Sequence, residues 1–133
     1  MPAPLMTTED LFGRASLGPA ELAAVAAAAA GRDVRELRHA RTRAVPVGYE
    51  WGSPATAGLW RVQVRADAPG YPVDQVFFVK LLRHTRLWPH LGQLPDETAR
   101  QDFVTSFPWR FELDMHECGI AEILPPGMRA PVL

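Results

Sequence analysis

The spacing of apolar residues changes partway along this 133-residue chain, and the change falls at Leu82. Between Val34 and Leu82 apolar side chains tend to alternate with polar or small ones. Beyond Leu82 they recur every third or fourth position. A period of two belongs to pleated strands and a period near 3.6 to helices. The order predicts an α+β fold with an antiparallel sheet of three to five strands and a packed helix, preceded by an N-terminal helix. Val34 to Tyr49 reads as one long strand, with Pro46 restricting it to an edge or bulged position. A turn of small residues runs from Gly48 to Gly58, and Leu59 to Arg65 resumes strict alternation. After a Pro/Gly loop from Asp67 to Asp74, Val73 to Leu82 forms a third strand, whose run Val76-Phe77-Phe78-Val79 reads as buried.

Helix signals flank this meander. Residues 1–16 read as a loose lead-in, in which Thr8, Glu9 and Asp10 open a short turn. Pro19 and Glu21 begin an Ala-rich helix that runs to Ala30 and stops at Gly31. Past Leu82, Asp96 caps a helix on which Ala99, Phe103, Val104 and Phe107 share a face. A further helix over 108–122 carries the stripe Trp109, Leu113, His116 and Ile120, ending at Gly119 or at Pro125-Pro126-Gly127. Arg129 to Leu133 starts another strand. The reading is of a lead-in with its helix over 1–33 and one lobe over 34–133.

Composition removes several classes of function. Fourteen basic residues against fifteen acidic ones leave a net charge of −1, so no overall field favours nucleic acid or a membrane surface. The single Cys118 excludes an internal disulfide and fits a reducing compartment. No apolar stretch reaches the roughly 18 residues that span a bilayer. The N-terminus lacks the order of a signal peptide, and the expected location is cytoplasmic. His39, His84, His90 and His116 show no metal-ligand spacing, and His116 is expected to pack in the core. The stretch Arg83, His84, Arg86, Trp88 and His90 reads as a solvated loop rather than a nucleic-acid site.

Lys80 stands out chemically. It is the only lysine; the other thirteen basic residues are arginines. A compact ammonium on a flexible stem does not interchange freely with a guanidinium fork, so a lysine kept in such a chain marks a place where arginine fails. The plainer reading is a surface lysine at a strand end.

Three antiparallel strands with a glycine-bearing hairpin, a lysine on the third strand and then an acid-bearing helix resemble the N-terminal lobe of the protein-kinase-like fold. The likeness is greatest to the aminoglycoside phosphotransferase and choline kinase branch. Trp109-Arg110-Phe111-Glu112 followed by Leu124 to Leu133 is similar to that branch's Arg-x-Glu helix leading into a Pro-Val strand. The resemblance implies ATP with Mg as cofactor, Lys80 at the phosphates, and a helix glutamate holding the lysine. Glu112 and Glu117 both lie about 70° from the centre of the apolar stripe, so periodicity does not choose between them; the Arg-x-Glu match favours Glu112. It also implies phosphate contacts at the turn from Gly52, Ser53 and Thr56, although Gly48, Gly52 and Gly58 do not fit the Gly-x-Gly-x-x-Gly spacing and a plain hairpin explains them equally.

The family's catalytic His-x-Asp motif is missing. His39 leads to Arg41, His84 to Arg86, His90 to Gly92 and His116 to Cys118. The expectation is therefore a truncated nucleotide-covering lobe, inactive alone, whose partners are a nucleotide, a separate or downstream catalytic lobe, and possible copies of itself through the exposed lobe interface. A standalone interaction module of the same shape is the alternative.

Overall fold

The computed structural model describes residues 17–48 and 53–128. The chain divides into two compact units, residues 1–50 with 58–81, and residues 51–57 with 82–133.

In the first unit, helix α1 spans Pro19–Ala29. Proline at its first position costs nothing, because that N–H has no helical partner. The Gly18 N–H donates to the Glu21 carboxylate at 2.8 Å, and Gly31 ends the helix in the left-handed region at φ 65°. Leu22, Ala23, Ala26 and Ala27 form its buried stripe. Beyond it the Arg32 guanidinium donates to Glu36 at 2.9 Å and to the Pro69 carbonyl at 2.6 Å, and lies 5.0 Å from the Tyr71 ring centre. One arginine thus ties the end of α1 to the loop between the last two strands.

Strands β1 (Arg38–Pro46), β2 (Thr56–Asp67) and β3 (Val73–Leu82) form a three-stranded antiparallel sheet in the order β1-β2-β3. Residues Thr42 and Ala44 of β1 stand opposite Val64 and Val62 of β2. Val62, Val64, Ala66 and Val73 are buried against Leu22 and Ala26 of α1, with Trp60, Phe77 and Val79 packed around them. Leu22, Val62, Val64 and Val73 are each no more than 2% exposed. Each such burial stabilises the fold by about 1.5–3 kcal/mol.

Two readings of the sheet need correction. The first strand does not begin at Val34 or run to Tyr49. Asp33 accepts a hydrogen bond from the Arg35 N–H and winds Val34–Glu36 into a 3₁₀ turn. The register then shifts between Arg38 and Arg41, where His39 takes φ 52°, so β1 enters through a bulge. Tyr49 lies outside the described residues. The run in β3 is not buried on both sides: Val76 is 44% exposed, Phe78 64%, and Lys80 is exposed, while Phe77 and Val79 face the core.

In the second unit, 3₁₀ turns at Thr85–Leu87 and Leu91–Gln93 precede α2, Glu97–Ser106. Asp96 caps α2 as its sequence predicts, accepting from the Ala99 N–H at 2.8 Å. Helix α3 covers only Phe111–Glu117, not 108–122. Pro108 to Arg110 form a turn in which the Phe111 N–H reaches the Pro108 carbonyl at 3.0 Å, and Gly119, at φ 76°, stops the helix on the other side. The expected stripe is therefore broken. Trp109 precedes the helix, Ile120 opens a separate 3₁₀ turn, and only Leu113 and the half-buried His116 lie on α3 itself. The lead-in at 1–16 and the strand expected from Arg129 lie outside the described residues.

Leu22→Ala removes a fully buried side chain at the α1–sheet contact and is expected to cost about 2–5 kcal/mol in urea denaturation. Phe78→Ala on the open face is expected to change stability by about 0.5 kcal/mol or less. Equal losses would mean that the outward face of β3 is covered.

Candidate functional site

The second unit is built on a run of aromatic contacts. Trp88 lies 5.3 Å from Phe103 and Phe103 5.2 Å from Phe107, ring centre to ring centre, which pins α2 to the segment that follows β3. Thr85, fully buried, directs its hydroxyl to the Val104 carbonyl at 3.5 Å. His84 packs 5.2 Å from Trp109 and accepts the Arg86 N–H on Nδ1. These contacts fix Phe107, Pro108 and Trp109 as a wall.

The turn before β2 is held from the same segment. The Arg83 N–H donates to the Ala55 carbonyl at 2.8 Å, and the Arg83 guanidinium to the Pro54 carbonyl at 2.8 Å. Within the turn the Thr56 N–H reaches the Ser53 carbonyl, and the Ser53 hydroxyl oxygen accepts from the Ala55 N–H at 3.2 Å. That oxygen shapes the loop, and its own proton is still available to a ligand. Ser53 and Thr56 line a cavity of about 220 Å³ together with Glu112, walled by Phe107, Trp109 and Phe111. Three of the five residues singled out in the sequence thus share one pocket.

The structure also separates the two glutamates that helical spacing could not. The Arg110 guanidinium lies 3.3 Å from both Glu117 and Asp114. Glu117 is taken up by that ion pair on α3, whereas Glu112 borders the cavity. Arg110, Asp114 and His84 border a second hollow of about 490 Å³, which the sequence reading missed. The Arg110–Asp114 spacing of four was the one signal for it.

The remaining expectations divide. Gly52 and Trp51 lie outside the described residues. Gly58 is explained by packing: a Cβ there would sit 2.2 Å from the Trp60 ring, so the glycine makes room for an indole folded against the core. Lys80 belongs to the first unit and stands on the outward side of β3. Asp74 shows which side that is, because its carboxylate accepts from Gln63 at 2.7 Å and from Arg65 at 3.0 Å. Alternation then puts Val76, Phe78 and Lys80 on the face of Gln63 and Arg65. Among the described residues no group of three His, Cys, Asp or Glu is placed to hold a metal ion, and no helix is long and apolar enough to cross a membrane. No protein-family model, curated protein or solved structure matches this chain.

The Gln63 amide, and after it the Arg65 charge, hold the Asp74 carboxyl below the ordinary carboxylate value of 3.8. A depressed folded-state pKa stabilises the fold above the unfolded value, and this contribution fades as pH falls through the lower folded value. Gln63→Leu is therefore expected to raise the Asp74 pKa in a side-chain NMR titration. It should also flatten the fall in stability below about pH 4. An unchanged Asp74 titration would show that Arg65 alone sets it.

Proposed function

We propose that this chain is the nucleotide-binding lobe of a small-molecule phosphotransferase, akin to the aminoglycoside phosphotransferase and choline kinase branch, and inactive in transfer by itself. The observation that carries the reading is the cavity at which Ser53 of the turn and Thr56 at the start of β2 meet the helix residue Glu112. The order of elements supports it as well, an antiparallel three-stranded sheet followed by helices, with the sole lysine near the end of β3.

In this reading Ser53 and Thr56 offer hydroxyl and backbone donors to phosphate oxygens, and Lys80 supplies the cation. Glu112 is the acid that the family pattern assigns to that lysine. The cavity is smaller than the roughly 300–1,000 Å³ of pockets that enclose a whole small-molecule ligand. It suits part of a nucleotide, such as a phosphate group, rather than all of it. Residues for Mg are not present as a cluster among the described ones, so the metal would arrive with the nucleotide and be held by a catalytic lobe on another polypeptide or chain segment. The phosphoryl acceptor would bind there too.

Trp109 in the cavity wall provides the readout. ATP is expected to change tryptophan emission saturably, and to protect Lys80, the sole side-chain amine, from an amine-reactive reagent. Lys80→Arg should weaken ATP binding about tenfold, or about 1.4 kcal/mol, because the wider fork does not fit where the ammonium sits. Glu112→Gln should weaken it in the same direction. No phosphoryl transfer to a hydroxyl substrate is expected from this chain alone. Equal labelling of Lys80 with and without millimolar ATP, together with an unresponsive Trp109, would sink this reading and leave a non-catalytic interaction module in its place.

A further inference from the structure

The outward face of the sheet carries a second kind of site, argued from its arginines and Phe78 rather than from the cavity at Ser53, Thr56 and Glu112. The β1–β2 register sets Arg41 opposite Arg65, Arg43 opposite Gln63, and Val45 opposite Arg61. All four arginines are exposed, and they share the face that Asp74 marks. On β1 and β2 this face therefore holds four guanidinium groups; Asp74 engages Arg65, and Asp67 borders the same hollow while pairing with His39. Among the described residues Arg41, Arg43 and Arg61 have no acidic partner. Like charges directly opposite each other in a sheet are destabilising. The Arg41–Arg65 pair is of that kind, and an anion bound between the two would relieve it.

Two hollows follow the same face. One of about 300 Å³ is lined by Arg41 and Arg65 but also by the carboxylates of Asp67 and Asp74; the other, of about 150 Å³, is lined by Arg43, Arg61, Gln63 and Val45 with no acid, and is the better anion site. Along each strand, residues two apart repeat at about 6.6–6.8 Å. The face thus offers a regular series of cations rather than one anion pocket. Next to it Phe78, 64% exposed, presents a flat ring in the middle of a strand. Helix α1 packs on the opposite face.

We infer that this face binds single-stranded nucleic acid, with the arginines on successive phosphates and Phe78 stacked on a base. Guanidinium forks chelate phosphate oxygens in pairs, and an exposed aromatic on an open sheet accepts any base. An acidic peptide would also meet the charge, but it has no use for the exposed ring. An anionic membrane would use the charge without a stacking preference.

The full chain titrated with fluorescein-labelled oligo-dT and oligo-U of twenty nucleotides tests this by anisotropy. Binding at 50 mM salt is expected, weakening about 20-fold at 200 mM if three phosphates are neutralised. Arg43→Gln and Arg61→Gln, both at exposed positions, should each reduce that salt dependence to about sevenfold. Phe78→Ala should weaken binding about fivefold or more while leaving the salt dependence intact. Absence of binding at 50 mM salt, or binding that the two glutamine variants leave unaltered, overturns the inference. So does preferential association with phosphatidylserine vesicles over the oligonucleotides.

Discussion

A single apolar contact organises the first unit. Leu22 and Ala26 of α1 meet Val62 and Val64 at the centre of β2, and the other core residues gather around them. The helix is made almost entirely of alanine along this side, so it can lie close to the sheet and leave little space to fill. Only one face of the sheet is used in this way. The opposite face mixes arginines, Gln63 and Asp74 with exposed Val45, Val76 and Phe78, and everything proposed for the sheet's surface follows from that asymmetry.

The sequence made the elements legible where local chemistry is strong. Pro19 with Gly31 marked α1, Asp96 marked the start of α2, and β3 was found at its true limits, Val73–Leu82. It misled where an apolar period ran through residues that do not share an element. Trp109 and Ile120 keep the helical spacing of Leu113 and His116, yet a proline turn and a left-handed glycine cut them off. Likewise Val76-Phe77-Phe78-Val79 is apolar throughout but buried on one side, because continuity of hydrophobic residues does not report how many faces are covered.

The candidate site was legible as residue types and not as geometry. Ser53, Thr56 and Glu112 were named from a resemblance, and their common cavity depends on Arg83 fixing the turn and on Phe107 and Trp109 forming a wall. None of those tethers has a sequence signature. That Glu117 pairs with Arg110 while Glu112 borders the cavity depends on where Arg110 points, which no helical wheel contains. The near-neutral total charge was similarly uninformative about local fields. A sum of −1 is compatible with four arginines on one sheet face, because the acids that balance them are spread elsewhere along the chain.

Strand β3 has a further consequence for how copies of the chain behave in concentrated solution. Among the described residues it is paired on one side only, and it is ten residues long and holds no proline. Such a strand is a template for intermolecular cross-β growth. The other edge is protected, since β1 enters through a bulge, bears several arginines and ends on Pro46. On β3 the charged residues are Asp74 near its start and Lys80 near its end. Lys80 interrupts the sequence Val-Phe-Phe-Val-Lys-Leu-Leu with a charge, the arrangement by which gatekeeper residues slow fibril nucleation.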